Sequence, residues 1–129
     1  MADVVLDASA VLAVLNGEPG ADEVSVHLPG AHLSAVNAAE VAGKLVDGGA
    51  GAEAAGRSLD RLGVRIVPFE RDDVVPVADI RAESRSAGLS LGDRACLALA
   101  RRLDLPALTA DRQWKDIQVG VEVRLIRGD

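Results

Sequence analysis

The 129-residue sequence predicts a three-layer α/β/α domain with a mainly parallel central sheet. Three observations carry that expectation. Strand-sized apolar runs alternate with helical segments along the whole chain. The first run, Asp3-Val4-Val5-Leu6-Asp7, is continuously apolar between its two acids, as in a strand buried on both faces. No internal repeat, low-complexity tract or long linker divides the chain, so residues 1–129 read as one domain with one core.

The elements follow in order. After the first strand, Ala8 to Leu15 has helical spacing, and Asn16-Gly17-Glu18-Pro19-Gly20 stops it with turn-formers. Ala21 to Leu28 predicts a second short helix, and Ala31-His32-Leu33-Ser34 a brief strand. From Ala35 the pattern is helical until Gly48-Gly49, with Ala38, Val41, Ala42 and Leu45 on one face. Asn37, Glu40, Lys44 and Asp47 form a polar stripe on the same helix. Gly51 to Leu62 is Ala-rich and helical, and Arg65 to Phe69 reads as a strand whose Pro68 favours an end or an edge. Asp72 to Ala87 predicts an amphipathic helix; Pro76 suits its first turn, which moves the start beyond Asp72. Leu91 to Leu103 is another helix, Pro106 to Thr109 a short buried strand, and Val121 to Ile126 a last, alternating one.

Apolar residues make up 49% of the chain and charged residues 26%, an ordinary globular balance. Aromatics are only 2%, so Val, Leu, Ile and Ala must fill the core. The net charge of −6 excludes a whole-body attraction to nucleic acid. A bound polyanion needs a local basic patch or bound cations, and arginines 94, 101, 102 and 112 crowd the C-terminal third. The lone Cys96 excludes an intrachain disulfide and reads as a small core residue. His27 and His32 have no His or Cys at ligand spacing. Trp114 reads as a buried anchor, with stacking on a base as the alternative. Met1-Ala2-Asp3 is acidic where a secretory leader is basic, and no stretch approaches the roughly 20 apolar residues of a membrane span. The expectation is a cytoplasmic protein.

In parallel sheets, ligands bind beyond the carboxyl ends of the strands. Asp7 follows the first strand and Asp111 follows Ala107-Leu108-Thr109-Ala110, so both emerge on that edge. Each also has a purely structural explanation: Asp7 as a helix cap, Asp111 as the start of an Asx-type turn. Glu40 stands four residues before Lys44, a surface pair worth about 0.2–0.5 kcal/mol, or else it points into an acidic cleft. Ser90-Leu91-Gly92-Asp93 matches a capping box, and Asp93 can cap and bind a ligand at once. Taken together, four acids at one sheet edge repel unless a cation neutralises them. Oxygen-only ligands favour Mg²⁺ or Mn²⁺, which can activate water for phosphodiester hydrolysis.

These residues resemble the PIN-domain family, and within it the VapC-type toxins of prokaryotic toxin–antitoxin pairs. The matching segments are Val5-Leu6-Asp7-Ala8-Ser9-Ala10, Ser34 to Val41, Leu89 to Ala100, and Leu108-Thr109-Ala110-Asp111, in family order across nearly the whole chain. The third segment joined to Thr-Ala-Asp is the most specific; Asp-x-Ser alone is weak. The resemblance implies a metal-dependent endoribonuclease with Asp7, Glu40, Asp93 and Asp111 as its acidic quartet. Asp7, Asp93 and Asp111 would hold the ion, and Glu40 would orient or deprotonate the attacking water. Ser9, Thr109 and Asn37 would support them, and Lys44, Arg94 and Arg112 would contact RNA. Family members pair as homodimers and are inhibited by a cognate VapB-like antitoxin whose C-terminal segment covers the cleft. Asp116 is a further acid near the last strand, outside the quartet.

The rival readings are weaker. A receiver-like signalling domain needs an Asp at the end of a middle strand and a late-strand Lys, whereas the middle strand here ends near Glu70 and the only lysines are Lys44 and Lys115. An Asp-nucleophile phosphatase needs an acid where Ser9 stands. A dinucleotide-binding domain needs a Gly-x-Gly-x-x-Gly that does not follow the first strand. A non-catalytic PIN scaffold would not need all four acids.

Overall fold

Why the chain threads as it does is clearest from its first strand. In a computed structural model that describes residues 3–128, β1 (Val4–Leu6) lies at the centre of a five-stranded sheet and all three of its residues are buried. Met1, Ala2 and Asp129 lie outside the described residues, so the leader reading of the first three residues falls partly outside them. The other strands are β2 (Ala31–Ser34), β3 (Arg65–Val67), β4 (Ala107–Thr109) and β5 (Val123–Leu125). Their order is β3-β2-β1-β4-β5 and every pairing is parallel. Val4 stands opposite Ala31 on one side, and Leu6 stands opposite Leu108 on the other.

Helices α1 (Ala8–Asn16), α2 (Ala21–Ser25), α3 (Ala35–Asp47) and α4 (Ala52–Leu62) contribute to the core on one face of the sheet. Helices α5 (Val74–Glu83) and α6 (Leu91–Leu103) cover the other face. The pleat explains how a wholly apolar strand serves both layers. Val4 and Leu6 join Ala10, Val11, Leu33 and Val41 on the first side, while Val5 joins Ile80, Cys96, Leu97 and Trp114 on the second. Trp114 is fully buried, so it is a core anchor and not a surface on which a base could stack. Cys96 is a buried core residue as expected.

Local chemistry sets where the elements stop. Gly17 closes α1 at φ +65°, a left-handed conformation that glycine adopts without steric cost. Four elements are shorter than the pattern predicts by more than one residue; one is β5, which covers only Val123–Leu125 of the Val121 to Ile126 expected. α2 ends at Ser25 instead of running to Leu28, where a 3-10 turn containing Pro29 takes over. β3 ends at Val67, because Pro68 lacks the N–H that would continue the ladder. The helix expected over Asp72 to Ala87 is α5 flanked by 3-10 turns at Arg71–Asp73 and Arg85–Ala87, with Pro76 in its first turn as expected. α6 opens on the predicted capping box: Ser90 Oγ accepts from the Asp93 N–H at 3.2 Å, and Asp93 Oδ2 accepts from the Ser90 N–H at 2.9 Å. Arg101 and Arg102 oppose the dipole in its last turn. Among the described residues no helix is long and apolar enough to cross a membrane.

The sheet order places a switch point between β1 and β4: the chain winds from β1 toward β3 on one side, then returns to lay β4 and β5 on the other. The core assignment has a direct check. Leu33→Ala empties a fully buried position and is expected to lose about 2–5 kcal/mol in urea unfolding. Val75→Ala, at a site 67% exposed, is expected to stay within about 0.5 kcal/mol of the parent. Equal losses would show that the core is elsewhere.

Candidate active site

The seam between β1 and β4 ends in a dense set of hydrogen bonds around Asp7. Its backbone N–H donates to the Leu108 carbonyl at 3.0 Å, which carries the ladder one residue beyond the strand. Its carboxylate is 5% exposed. Oδ1 accepts from the Ala8 N–H at 2.8 Å. Oδ2 accepts from the Ser9 hydroxyl at 2.7 Å and the Thr109 hydroxyl at 2.8 Å. The capping reading of Asp7 is therefore correct and incomplete, since the same carboxylate also gathers the ends of both strands. Ser9 Oγ in turn accepts from the Ala110 N–H at 2.9 Å, and Thr109 Oγ1 accepts from the Asp111 N–H at 3.0 Å. Asp111 is half-buried and caps the following 3-10 turn (Arg112–Asp116) by accepting from the Gln113 N–H at 2.9 Å.

Burial pushes the Asp7 carboxyl above its ordinary value; the hydroxyls of Ser9 and Thr109 and the Ala8 N–H oppose that, and the charge of nearby Asp93 adds to it. Cys96 gives a second measure of the same crowding. Its thiol is held well above the usual range, first by full burial and then by the charges of Asp7, Asp93 and Glu40. Asp7 and Asp93 thus lie near enough to feel each other's charge, and the Thr109 hydroxyl ties the Asp111 N–H to the Asp7 carboxylate.

Glu40 reaches this edge from α3 through Asn37. The Asn37 side chain is fully buried, and its Nδ2 donates to Glu40 Oε1 at 2.9 Å and to the Gly92 carbonyl at 3.0 Å. Asn37 Oδ1 is buried without a partner among the described residues. Placing Asn37 on a solvated polar stripe is thus corrected: it is an internal tie between α3 and the start of α6. The surface pair of Glu40 with Lys44 does not form; Lys44 is exposed and makes no ion pair among the described residues.

The donor set suits a hard divalent ion. All four acids offer oxygen only. Glu40, Asp93 and Asp111 each commit one carboxylate oxygen to the hydrogen bonds above and keep the other free of protein partners among the described residues. Among the described residues no group of three or more His, Cys, Asp or Glu side chains stands close enough together to hold a metal ion. An ion bound at these acids would therefore keep waters among its ligands, the habit of Mg²⁺.

The sequence of residues 4–120 matches the family model described as the PIN domain. The chain belongs to the PIN-domain family. PIN domains are nucleases and generally use divalent metals. Solved structures share the fold at low sequence identity. A chain of DNA-bound VapBC from Salmonella typhimurium superposes with a TM-score of 0.74 at 15% identity, over 98% of this chain and 100% of that one. A chain of promoter-DNA-bound VapBC2 from Rickettsia felis gives 0.73 at 16%, over 96% and 98%. One of FitAcB from Neisseria gonorrhoeae gives 0.69 at 22%, over 93% and 95%. No curated protein matches the sequence significantly.

The remaining candidates of this PIN domain occupy separate places. Arg94 follows Asp93 and faces a recess shared with Arg81 and Arg85. Arg112 is exposed in the turn after Asp111. Asp116 lines a separate recess with Glu83, Gln113 and Gln118. Gly92 was not singled out by sequence pattern. A Cβ there would meet only the Glu40 carboxylate, the far end of a flexible side chain, so any larger residue would push that carboxylate aside. Its signal was a residue of poor helix propensity in the first turn of an otherwise strong helix.

The raised Asp7 carboxyl has a consequence for the metal-free protein. A raised acid favours the protonated fold, so its contribution is present in acid and is lost as pH climbs through the raised value. In chelator, the stability of the parent relative to Asp7→Asn is expected to fall between the ordinary aspartate value of 3.8 and neutrality. Thermal melts at stepped pH read this directly; a difference that does not change with pH would contradict it.

Proposed function

We propose that this PIN domain is a Mg²⁺- or Mn²⁺-dependent endoribonuclease and the toxin of a VapBC-like toxin–antitoxin pair. The observation that carries the reading is the hydrogen-bonded set at one sheet edge: Asp7 held by Ser9 and Thr109, the Asp111 N–H on Thr109, and Glu40 tied through Asn37 to the Gly92 carbonyl beside Asp93. One structural neighbour is described as a toxin–antitoxin complex from Klebsiella pneumoniae and others as VapBC, which supports a VapB-like partner for this chain. The same reading includes pairing of two copies and coverage of the cleft by the antitoxin. Membership of the PIN family sets aside the receiver-like alternative.

Asp7, Asp93 and Asp111 would hold the ion. When bound, the ion supplies positive charge toward the scissile phosphate and the Lewis acidity that phosphodiester hydrolysis needs. Ser9 and Thr109 fix the Asp7 carboxylate by donating to Oδ2, so its geometry is set before substrate arrives. Asn37 fixes Glu40 by one oxygen, leaving Oε2 to accept a proton from the attacking water. Lys44, Arg94 and Arg112 would supply local positive charge for RNA on a chain whose net charge is −6.

RNA incubated with the protein and Mg²⁺ or Mn²⁺ is expected to be cut, and chelation is expected to stop it. Asp7→Asn should abolish cleavage while circular dichroism stays native; cleavage at the parental rate would sink the proposal. Glu40→Gln should lower kcat by about 10²–10⁴-fold. Gly92→Ala should displace the Glu40 carboxylate and cost roughly 10–100-fold in activity with the fold intact. Parental activity in Gly92→Ala would remove Glu40 from the reaction.

A further inference from the structure

Charge is unevenly matched on this molecule. Arg101, Arg102, Arg124 and Arg127 each pair with an acid. Arg81, Arg85 and Arg94 do not: their guanidinium groups make no ion pair or hydrogen bond among the described residues. These three line a single recess of about 260 Å³, completed by Ser84, Gly88 and Leu89. The nearby acids are wholly or partly engaged elsewhere. Glu83 binds Arg101 at 3.0 and 3.2 Å, and Asp93 accepts from the Ser90 N–H. The buried Ser84 hydroxyl donates to the Ile80 carbonyl and so offers the recess no competing partner. Arg94 Nε is buried with no hydrogen-bond partner, a donor left unsatisfied at a cost proteins seldom accept.

We propose that this recess is a phosphate subsite that holds an RNA backbone phosphate at a distance from the scissile one, an inference that rests on the ribonuclease reading above. Three guanidinium groups around one cavity repel each other until an anion enters, and their planar forks match phosphate oxygens. A phosphate against Arg94 supplies the acceptor that its guanidinium lacks. The position fits the substrate path, since Arg94 directly follows Asp93 at the start of α6. The lining fits a phosphate better than a protein segment, because Leu89 is the only large apolar side chain in it. On an acidic chain, this recess concentrates the cationic charge that a polyanion needs beside the acids.

The test is binding of a fluorescent single-stranded RNA oligonucleotide to the whole chain by anisotropy, in chelator so that nothing is cut. Arg81 and Arg85 are exposed, so R81Q/R85Q keeps the fold, which a thermal melt verifies. The double variant is expected to bind about tenfold more weakly, the loss of one charge-assisted contact set. Its slope of log affinity against log salt should flatten by about 0.7 for each phosphate released. R81K/R85K should restore the slope and only part of the affinity, because lysine keeps the charge and loses the fork. R94Q should weaken binding in the same direction. Unchanged affinity and slope in R81Q/R85Q overturns the proposal. So does weakened binding of a synthetic acidic peptide with RNA binding intact, which would assign the recess to a protein ligand. Cleavage judges the other reading separately: a chain that cuts RNA but binds it equally well without these arginines keeps the nuclease and loses the subsite. A chain whose RNA binding depends on them but which never cuts keeps the subsite and loses the nuclease.

Discussion

A carboxylate that is almost completely removed from water, yet placed where a second acid brings further negative charge, must be held by groups that do not give way. Asp7 meets that condition with three donors, drawn from its own helix start and from the end of β4. The cost of burying the charge appears as a raised carboxyl, which means the donors offset the desolvation without cancelling it. The parallel ladder between β1 and β4 brings Thr109 into reach, and the ladder depends on the continuous apolar run that buries β1 on both faces. Composition, sheet order and site thus form one dependency. Weakening the β1–β4 seam would loosen the hydroxyls that orient the central acid.

Much of the fold was legible because its signals are local. A strand buried on both faces, a glycine stop after α1, and the Ser90 and Asp93 box at α6 each follow from a few adjacent residues. Element ends were less legible where a proline sits near the boundary: Pro29 and Pro68 shortened their elements by a few residues. The sheet edge bearing Asp7 and Asp111 could also be anticipated, because both acids follow apolar strands. Asn37 shows where local reading stops. Its spacing with Glu40 and Lys44 suggested a wet stripe, but the partner that buries it is the Gly92 carbonyl, 55 residues away. Gly92 was overlooked for the same reason: its neighbour in space is Glu40, on another helix.

The acids divide into two kinds of attachment. Asp7 has both oxygens engaged by the protein, whereas Glu40, Asp93 and Asp111 have one each. Two of the singly held acids are also caps, so their positions follow from the termini of helical segments and need no separate support. Glu40 has no such anchor and depends on Asn37 alone. That asymmetry makes α3 the element through which small shifts would reach the site.

The hydrogen bond from Thr109 to Asp7 spans 102 residues of chain. During synthesis the first strand leaves the ribosome long before β4 exists, and its central position in the sheet leaves one flank open until then. The amino-terminal three quarters of the polypeptide can collapse around β1 and β2, but they lack Thr109 and Asp111. A nascent or truncated chain therefore carries Asp7 with Ala8 and Ser9 but without the Thr109 hydroxyl. The donor set around Asp7 is complete only once the closing segment docks.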